Sequence, residues 1–350
     1  MKGRVTLEQI KYNEESIKVK NIRHIGVDIV KSVAILSVVG VHFFLNTKFY
    51  TTNLNSSNLF IQTILQQLFL ACIPLFLIST GYLNNNMDIG KKYFKKIIPV
   101  IVIYILYSIP ALLYRSHIKE IETSIPLWIS LIFKFKGNRY SWYIDLYIGL
   151  FLLIPFLNRM YSTLKSKKEK QTLIFILIML TSIVSLVRNN FLVSRYWTSI
   201  YPITYFFIGK YIKDFQPKIK IHSNIIYLLL IILIQGIIEY LASSGGVYKH
   251  YLTDYTSILR LVQGYLEFVL LYRLDIKNRF MRNNMINISK LTLDIYLASF
   301  ITDRLVYKEI FKVYDFNQEQ YLYMLIPLVM LSFILDYVIA NIRRKLINIR

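Results

Sequence analysis

Three ionisable residues, Asp28, Lys31 and His42, stand inside one apolar stretch that runs from Ile25 to Leu45, IGVDIVKSVAILSVVGVHFFL. About 20 apolar residues cross a bilayer core as one helix. A charge inside such a helix is costly unless it faces a cavity or a partner, so each of the three is a functional candidate. Lys31 and His42 are eleven residues apart. That is close to three helical turns, so they share a face and stand roughly 16 Å apart along the axis. Asp28 lies one turn before Lys31, where it can pair with the ammonium. A neutral imidazole can take a proton from a hydroxyl near neutral pH, so His42 is the candidate general base. The structural alternative is a buried histidine tied to a carbonyl.

The other histidines, His24, His117, His222 and His250, fall at the ends of apolar stretches or between them. Lys91, Lys92, Lys95 and Lys96 crowd into GKKYFKKIIP. Lysine binds phosphate as a point charge and needs little exact geometry. The run is therefore either a mouth for an anionic cofactor or a membrane anchor. Asp145, Glu239, Arg260, Glu267, Asp294, Asp303, Arg304 and Asp336 also lie in or near apolar stretches and need partners on other helices. The spacing does not identify those partners. The single cysteine, Cys72, excludes an internal disulfide and a cysteine-built metal site. It reads as a packing residue, and no metal is expected.

The elements that must position these residues are membrane helices. Of 350 residues, 55% are hydrophobic, a composition foreign to soluble domains. The chain reads as an all-α, polytopic integral membrane protein with about ten transmembrane helices, over residues 25–45, 59–83, 97–114, 140–157, 172–187, 199–212, 225–241, 255–274, 286–306 and 321–342. Residues 125–135 are too short to cross and are expected to form an interfacial or re-entrant segment. Three regions result: a cytoplasmic N-terminal tail at 1–24, a transmembrane domain at 25–342 and a basic cytoplasmic C-terminal tail at 343–350. The tail lacks the apolar core of a cleavable signal, and no separate soluble domain is expected. A net charge of +22 would suggest nucleic acid in a soluble protein. Here roughly 28 lysines and arginines fall on one set of alternating loops and roughly ten on the other, as the positive-inside rule requires. The partner of this charge is the membrane lipid, with no nucleic acid, and both termini are expected in the cytoplasm of a multi-pass cell-membrane protein.

Five stretches in order resemble the acyltransferase-3 family of membrane proteins, which O-acylate surface carbohydrates in bacteria. The first helix is similar to the family's opening helix, in which a basic residue precedes a histidine by eleven positions. Lys31 stands where the family has arginine, His42 matches, and Asp28 fits the preceding acid. IPLFLISTGYL, from Ile73, resembles a Pro-x-Phe-Phe-hydrophobic-Ser-Gly-Tyr stretch, with Thr80, Gly81 and Tyr82 at its end. KKYFKKIIPV has Lys95 and Lys96 in place of arginines, and Pro99 matches. SWYIDLYIGLFLLIP, from Ser141, resembles a Trp-aromatic span. ISKLTLDIYLASF, from Ile288, resembles a Ser-x-hydrophobic-x-hydrophobic-Tyr-Leu stretch, with Ser299 where the family often has a histidine soon after Tyr-Leu.

The resemblance implies a membrane acyltransferase that uses acyl-CoA, acetyl-CoA above all, as donor from the cytoplasm. The implied acceptor is a hydroxyl on a cell-surface or lipid-linked carbohydrate. On that reading Lys31, Lys92, Lys95 and Lys96 hold the CoA phosphates, Asp28 steadies Lys31, and His42 activates the acceptor. Direct attack and an acyl-His42 intermediate both fit, and no spacing picks out an oxyanion donor. A homo-oligomer or an envelope-biosynthesis partner is compatible with this reading. The rival class is a glycan transporter or flippase, which needs the same many spans and polar path. The absence of an internal repeat speaks against it.

Overall fold

The computed structural model of the chain describes residues 23–84, 89–183, 194–251, 253–313 and 316–347. Most of the predicted N-terminal tail, the end of the predicted span 172–187 and the last three residues lie outside the described residues. The described residues form helices and irregular connections, with two isolated bridges near residues 53 and 247.

The opening helix α1, Ile25–Asn46, is the axis of the molecule. It packs against α2 (Ser57–Phe69), α3 (Cys72–Leu83), α10 (Ile258–Leu271), α11 (Arg279–Lys290), α12 (Thr292–Val313) and α13 (Tyr321–Leu346). Most of its apolar window, 78%, is buried, against 33% for α4 (Ile98–His117), 33% for α6 (Trp142–Thr163) and 22% for α9 (Ile221–Ala242). Those helices form the rim and turn apolar side chains outward, as lipid-facing helices do. Among the described residues, six segments are long and apolar enough to cross a membrane: α1, α2 with α3, the segment that ends in α4, α6, α9 and α13. The others are short, such as α7 (Lys167–Ile178) and α8 (Tyr201–Phe215), or charged, such as α12. α5 (Ile125–Phe133) has nine residues, none of them buried, and is too short to cross a membrane.

Two predicted spans are not single helices. The span 59–83 is broken at Leu70 and Ala71 between α2 and α3. Pro74 has no N–H for the carbonyl of Leu70, and its ring crowds that carbonyl. The carbonyls freed by the break are taken up by side chains of α10. Arg260 donates from Nη1 to Gln67 O at 2.7 Å, and Gln263 Nε2 donates to the same oxygen at 3.1 Å and to Leu68 O at 3.4 Å. Arg260 is wholly buried; it also donates to Thr253 O at 3.0 Å, to Gln67 Oε1 and to Gln263 Oε1. The predicted span 286–306 is likewise interrupted. α11 ends at Lys290, Leu291 leaves the helical path, and α12 begins at Thr292. The C-terminal carbonyls of α11 are capped from α1: Lys31 Nζ donates to Ser289 O at 2.7 Å and Ser32 Oγ to Met285 O at 3.1 Å. A cation at a helix C-terminus is the favourable arrangement.

Close helix contact sets the position of α3. A Cβ at Gly81 would lie 1.9 Å from the carbonyl oxygen of Phe206, and one at Gly209 would lie 2.1 Å from that of Ile78. Small residues at facing positions let α3 and α8 approach backbone to backbone, the usual packing device between membrane helices.

The break in α2–α3 gives a test. Arg260→Met removes the donors to Thr253 O and Gln67 Oε1 and leaves these buried acceptors unpaired, at about 1–3 kcal/mol each, while Gln67 O keeps Gln263 Nε2. The variant should accumulate in membranes at a small fraction of the wild-type level and lose its fold at lower temperature. An immunoblot of the membrane fraction with a thermal aggregation curve measures both. Wild-type values in both would remove this role from Arg260.

Candidate functional site

α1 presents His42 to α12 near the end where α1 meets the loop at 134–141. His42 Nδ1 lies 3.0 Å from Ser299 Oγ and 3.4 Å from Asp303 Oδ2. Ser299 and Asp303 are one turn apart on α12, so both face α1. Ser299 Oγ already donates to Tyr296 O at 2.8 Å, which leaves it an acceptor toward His42. With the proton of a neutral imidazole assigned to Nδ1, the ring donates toward both Ser299 Oγ and Asp303 Oδ2, and Nε2 carries the lone pair. Asp303 Oδ2 also accepts from the Tyr140 hydroxyl at 3.2 Å and from Asn46 Nδ2 at 3.4 Å. The amide of Asn46 further donates to the Tyr140 oxygen and to His42 O, both at 2.8 Å.

Tyr140 lies over the imidazole, with ring centroids 3.9 Å apart and planes tilted by 30°. Its loop is fixed from two sides. Arg115 Nη1 donates to Lys136 O at 2.7 Å, and Asn138 Nδ2 donates to Leu297 O at 2.9 Å. Behind α12, the Thr302 hydroxyl donates to the buried carboxylate of Asp336 on α13.

Two cavities meet at this helix, of about 260 and about 310 Å³. Each far exceeds the roughly 10–15 Å³ that one water occupies by the same measure, so each admits a ligand group. The first is lined by Lys31, Ser79, Thr80 and Asn84 near the start of α1. The second is lined by His42, Tyr50, Tyr140, Trp142, His250 and Asp254 near its end. Trp142 and Tyr255 stack there, with centroids 5.9 Å apart and an interplanar angle of 23°. His250 stands edge-on to Tyr248 at 4.9 Å. Burial pushes the His250 imidazole below its usual value, while the Glu239 carboxylate opposes the shift. Glu239 also accepts from Tyr251 N and from the Thr253 hydroxyl, which holds the connection to α10 over the cavity.

The predicted site residues separate into groups. His42 and Lys31 share the face of α1 but line different cavities. The expected pairing of Asp28 with Lys31 is corrected. Asp28 is held by Arg23 through a two-point contact, at 2.6 Å from Nε and 2.5 Å from Nη2. Arg23 approaches from the residues just before the helix and offers a planar fork, which a carboxylate fits better than an ammonium. Lys31 turns instead to the end of α11. One of its three N–H groups is used there, and two are left for a ligand. Lys92, Lys95 and Lys96 are exposed on the turn before α4 and line neither cavity. Val100, about one turn beyond that run, lines the Lys31 cavity.

Asn46, Tyr140, Ser299 and Asp303 were not singled out as catalytic from the sequence. The available signal was their spacing: His42 and Asn46, and likewise Ser299 and Asp303, are four apart on a helix. Ser299 occupies the place where the family often has a histidine, and it touches the imidazole directly.

Buried polar helices around a histidine–carboxylate pair, with a cavity on either side, define a membrane protein built for chemistry within its helical core. Residues 24–346 match the acyltransferase domain of the acyltransferase-3 family, and the chain belongs to that family. It is a membrane acyltransferase. No curated protein and no solved structure matches it.

Asp303→Asn tests the geometry. The amide can donate to the imidazole and shift its proton to Nε2, which removes the base. Transfer should fall by about 100-fold to 10,000-fold at an unchanged protein level. Ser299→Ala removes one neutral hydrogen bond and should cost about tenfold or less. Initial rates of acyl transfer in washed membranes compare the two. A larger loss from Ser299→Ala than from Asp303→Asn would contradict the assignment.

Proposed function

We propose that this acyltransferase moves an acyl group, acetyl in the first instance, from acyl-CoA to a hydroxyl of a cell-surface or lipid-linked glycan. One observation carries the reading: His42 Nδ1 is engaged by Ser299 and Asp303, while Nε2 has no hydrogen-bond partner among the described residues and the ring lines the second cavity. That is the arrangement of a general base. The acceptor hydroxyl gives its proton to Nε2 as its oxygen attacks the thioester carbonyl. The carbon–sulfur bond then breaks, and the CoA thiolate takes the proton back from the imidazolium. Asp303 offsets the charge on the ring while it holds the proton.

The Lys31 cavity suits the donor. Lys31 offers a cation at its edge, and the exposed Lys91, Lys92 and Lys95 add positive charge at the same end of the bundle. The second cavity suits a sugar. Its stacked Trp142 and Tyr255 offer apolar faces, and Asp254 and His250 offer hydrogen-bonding groups. With the short and charged helices counted as spans beside the six longer ones, the chain has about ten. Both termini and the Lys31 cavity then lie in the cytoplasm, and the His42 cavity lies outside in the cell envelope. Carbohydrate and membrane lipid are the partners of this arrangement, and an oligomer or a partner enzyme of envelope biosynthesis is compatible with it.

The experiment is a comparison of esters on surface glycan, before and after mild alkali, from cells with the wild-type protein, with none and with His42→Ala. Alkali-labile acyl groups should be present only with the wild type, and His42→Ala protein should accumulate normally. Glycan esters retained with His42→Ala would take His42 out of the mechanism. Glycan missing from the surface, not merely lacking esters, would point to transport instead.

The two cations also make separable predictions. Lys31→Arg should keep much of the transfer activity, and Lys31→Met should raise KM for acetyl-CoA and lower the protein level, because Lys31 also caps α11. Because Asp28 is already paired with Arg23, Asp28→Asn should not rescue Lys31→Met. Rescue of the protein level by the double change would restore the Asp28–Lys31 pairing.

A further inference from the structure

We propose that Tyr296 is a movable partition of the active site: its ring closes the passage between the two cavities, and its hydroxyl donates to the thioester carbonyl once the donor arm displaces it. The proposal rests on the acyl-CoA reading above.

Three residues line both cavities: Val38 on α1, Ile73 on α3 and Tyr296 on α12. They form the wall between Lys31 and His42. Val38 and Ile73 are aliphatic, so Tyr296 supplies the one polar side chain of this shared wall. Its hydroxyl is buried, and its proton finds no acceptor among the described residues, while the backbone N–H of Tyr143 lies on the side of its oxygen. Leaving a buried donor unpaired is costly, and folded proteins keep few of them without a reason. The ring stands loosely between two others. It lies 6.3 Å from the His42 ring, tilted by 33°, and 6.3 Å from Tyr143, edge-on at 86°. Tyr143 lines the Lys31 cavity. Tyr296 thus stands between a residue of the donor side and the base of the acceptor side. The backbone carbonyl of Tyr296 also takes the Ser299 hydroxyl that orients His42. Partition and base are therefore set by the same turn of α12.

A thioester that enters from the Lys31 side must pass this wall for its carbonyl carbon to come near His42. Movement of the ring opens the way and brings a free O–H to a place where negative charge develops. The atoms balance as follows. The acceptor oxygen bonds to the carbonyl carbon as its proton passes to His42 Nε2. The carbonyl oxygen becomes an oxyanion and accepts a hydrogen bond from the Tyr296 hydroxyl. Collapse then breaks the carbon–sulfur bond, and CoA leaves as the thiolate and is protonated by His42. Tyr296 keeps its own proton throughout.

Cys72 provides a test that needs no activity, because it is the only cysteine in the chain and lines the His42 cavity. A membrane-impermeant methanethiosulfonate is added to vesicles from the side of the Lys31 cavity, and modification of Cys72 is followed by mass. The wild type and Tyr296→Phe should react equally slowly, because both rings close the passage. Tyr296→Ala should react at least about tenfold faster, since the buried Cys72 thiol reacts only when an open passage lets both water and the reagent reach it. Val38→Ala trims the same wall and should give a smaller rise, which serves if Tyr296→Ala does not accumulate. Equal rates in all four proteins would overturn the partition. In the same vesicles Tyr296→Phe should lower kcat with acetyl-CoA by about 100-fold, the cost of one oxyanion donor. Its KM should stay within about threefold, which separates a transition-state contact from a binding one. An unchanged kcat would overturn the role of the hydroxyl. If the wild type transfers no acetyl group at all, the functional reading fails, and the Cys72 rates still decide the partition.

Discussion

The site depends on one contact between helices that are far apart in sequence: the imidazole of His42 on α1 against Ser299 and Asp303 on α12. In a membrane interior, polar groups that find no partner are expensive, and charged ones more so. His42, Asn46, Tyr140 and the Oδ2 atom of Asp303 are tolerable there because each hydrogen-bonds another. The same satisfaction fixes which ring nitrogen holds the proton. The rest of the bundle serves this arrangement. α1 is central because its polar face must be surrounded. α12 carries charge because it supplies the carboxylate. The loop at 134–141 is pinned by Arg115 and Asn138 so that Tyr140 stays over the ring.

The breaks in the helices follow the same logic. A break in a membrane helix frees carbonyls that lipid cannot satisfy, so each break here is covered by a side chain from elsewhere. Arg260 and Gln263 cover the one between α2 and α3, beside the His42 cavity. Lys31 and Ser32 cover the end of α11, beside the Lys31 cavity. The cost of irregular backbone is thus met at the places where cavities are needed. Lys31 is part of the frame as well as of the cavity wall.

Much of this was legible in the sequence. Ile25–Leu45 stood out as an apolar stretch that keeps three ionisable residues, and the face shared by Lys31 and His42 follows from helical spacing alone. The family and the all-helical class were legible too. The partners of those residues were not. Asp28 chose Arg23 over Lys31 because fork geometry and the entry of the chain decided the pairing, and helical spacing carries neither. Asp303 and Ser299 lie more than 250 residues from His42, and only the packing of α12 on α1 brings them to it. The span 59–83 looked continuous because a proline within an apolar run leaves hydropathy unchanged while it removes a backbone donor.

The central claim is that Ser299 and Asp303 hold the proton of His42 on Nδ1 and leave Nε2 free as the base. Nitrogen-15 NMR of the histidine-labelled protein in nanodiscs at neutral pH measures this directly, with His42 assigned by the signals lost in His42→Gln. The account predicts a protonated Nδ1 and an unprotonated Nε2 for His42, with the pattern reversed or mixed in Asp303→Asn. A proton on Nε2 in the wild-type protein would contradict it.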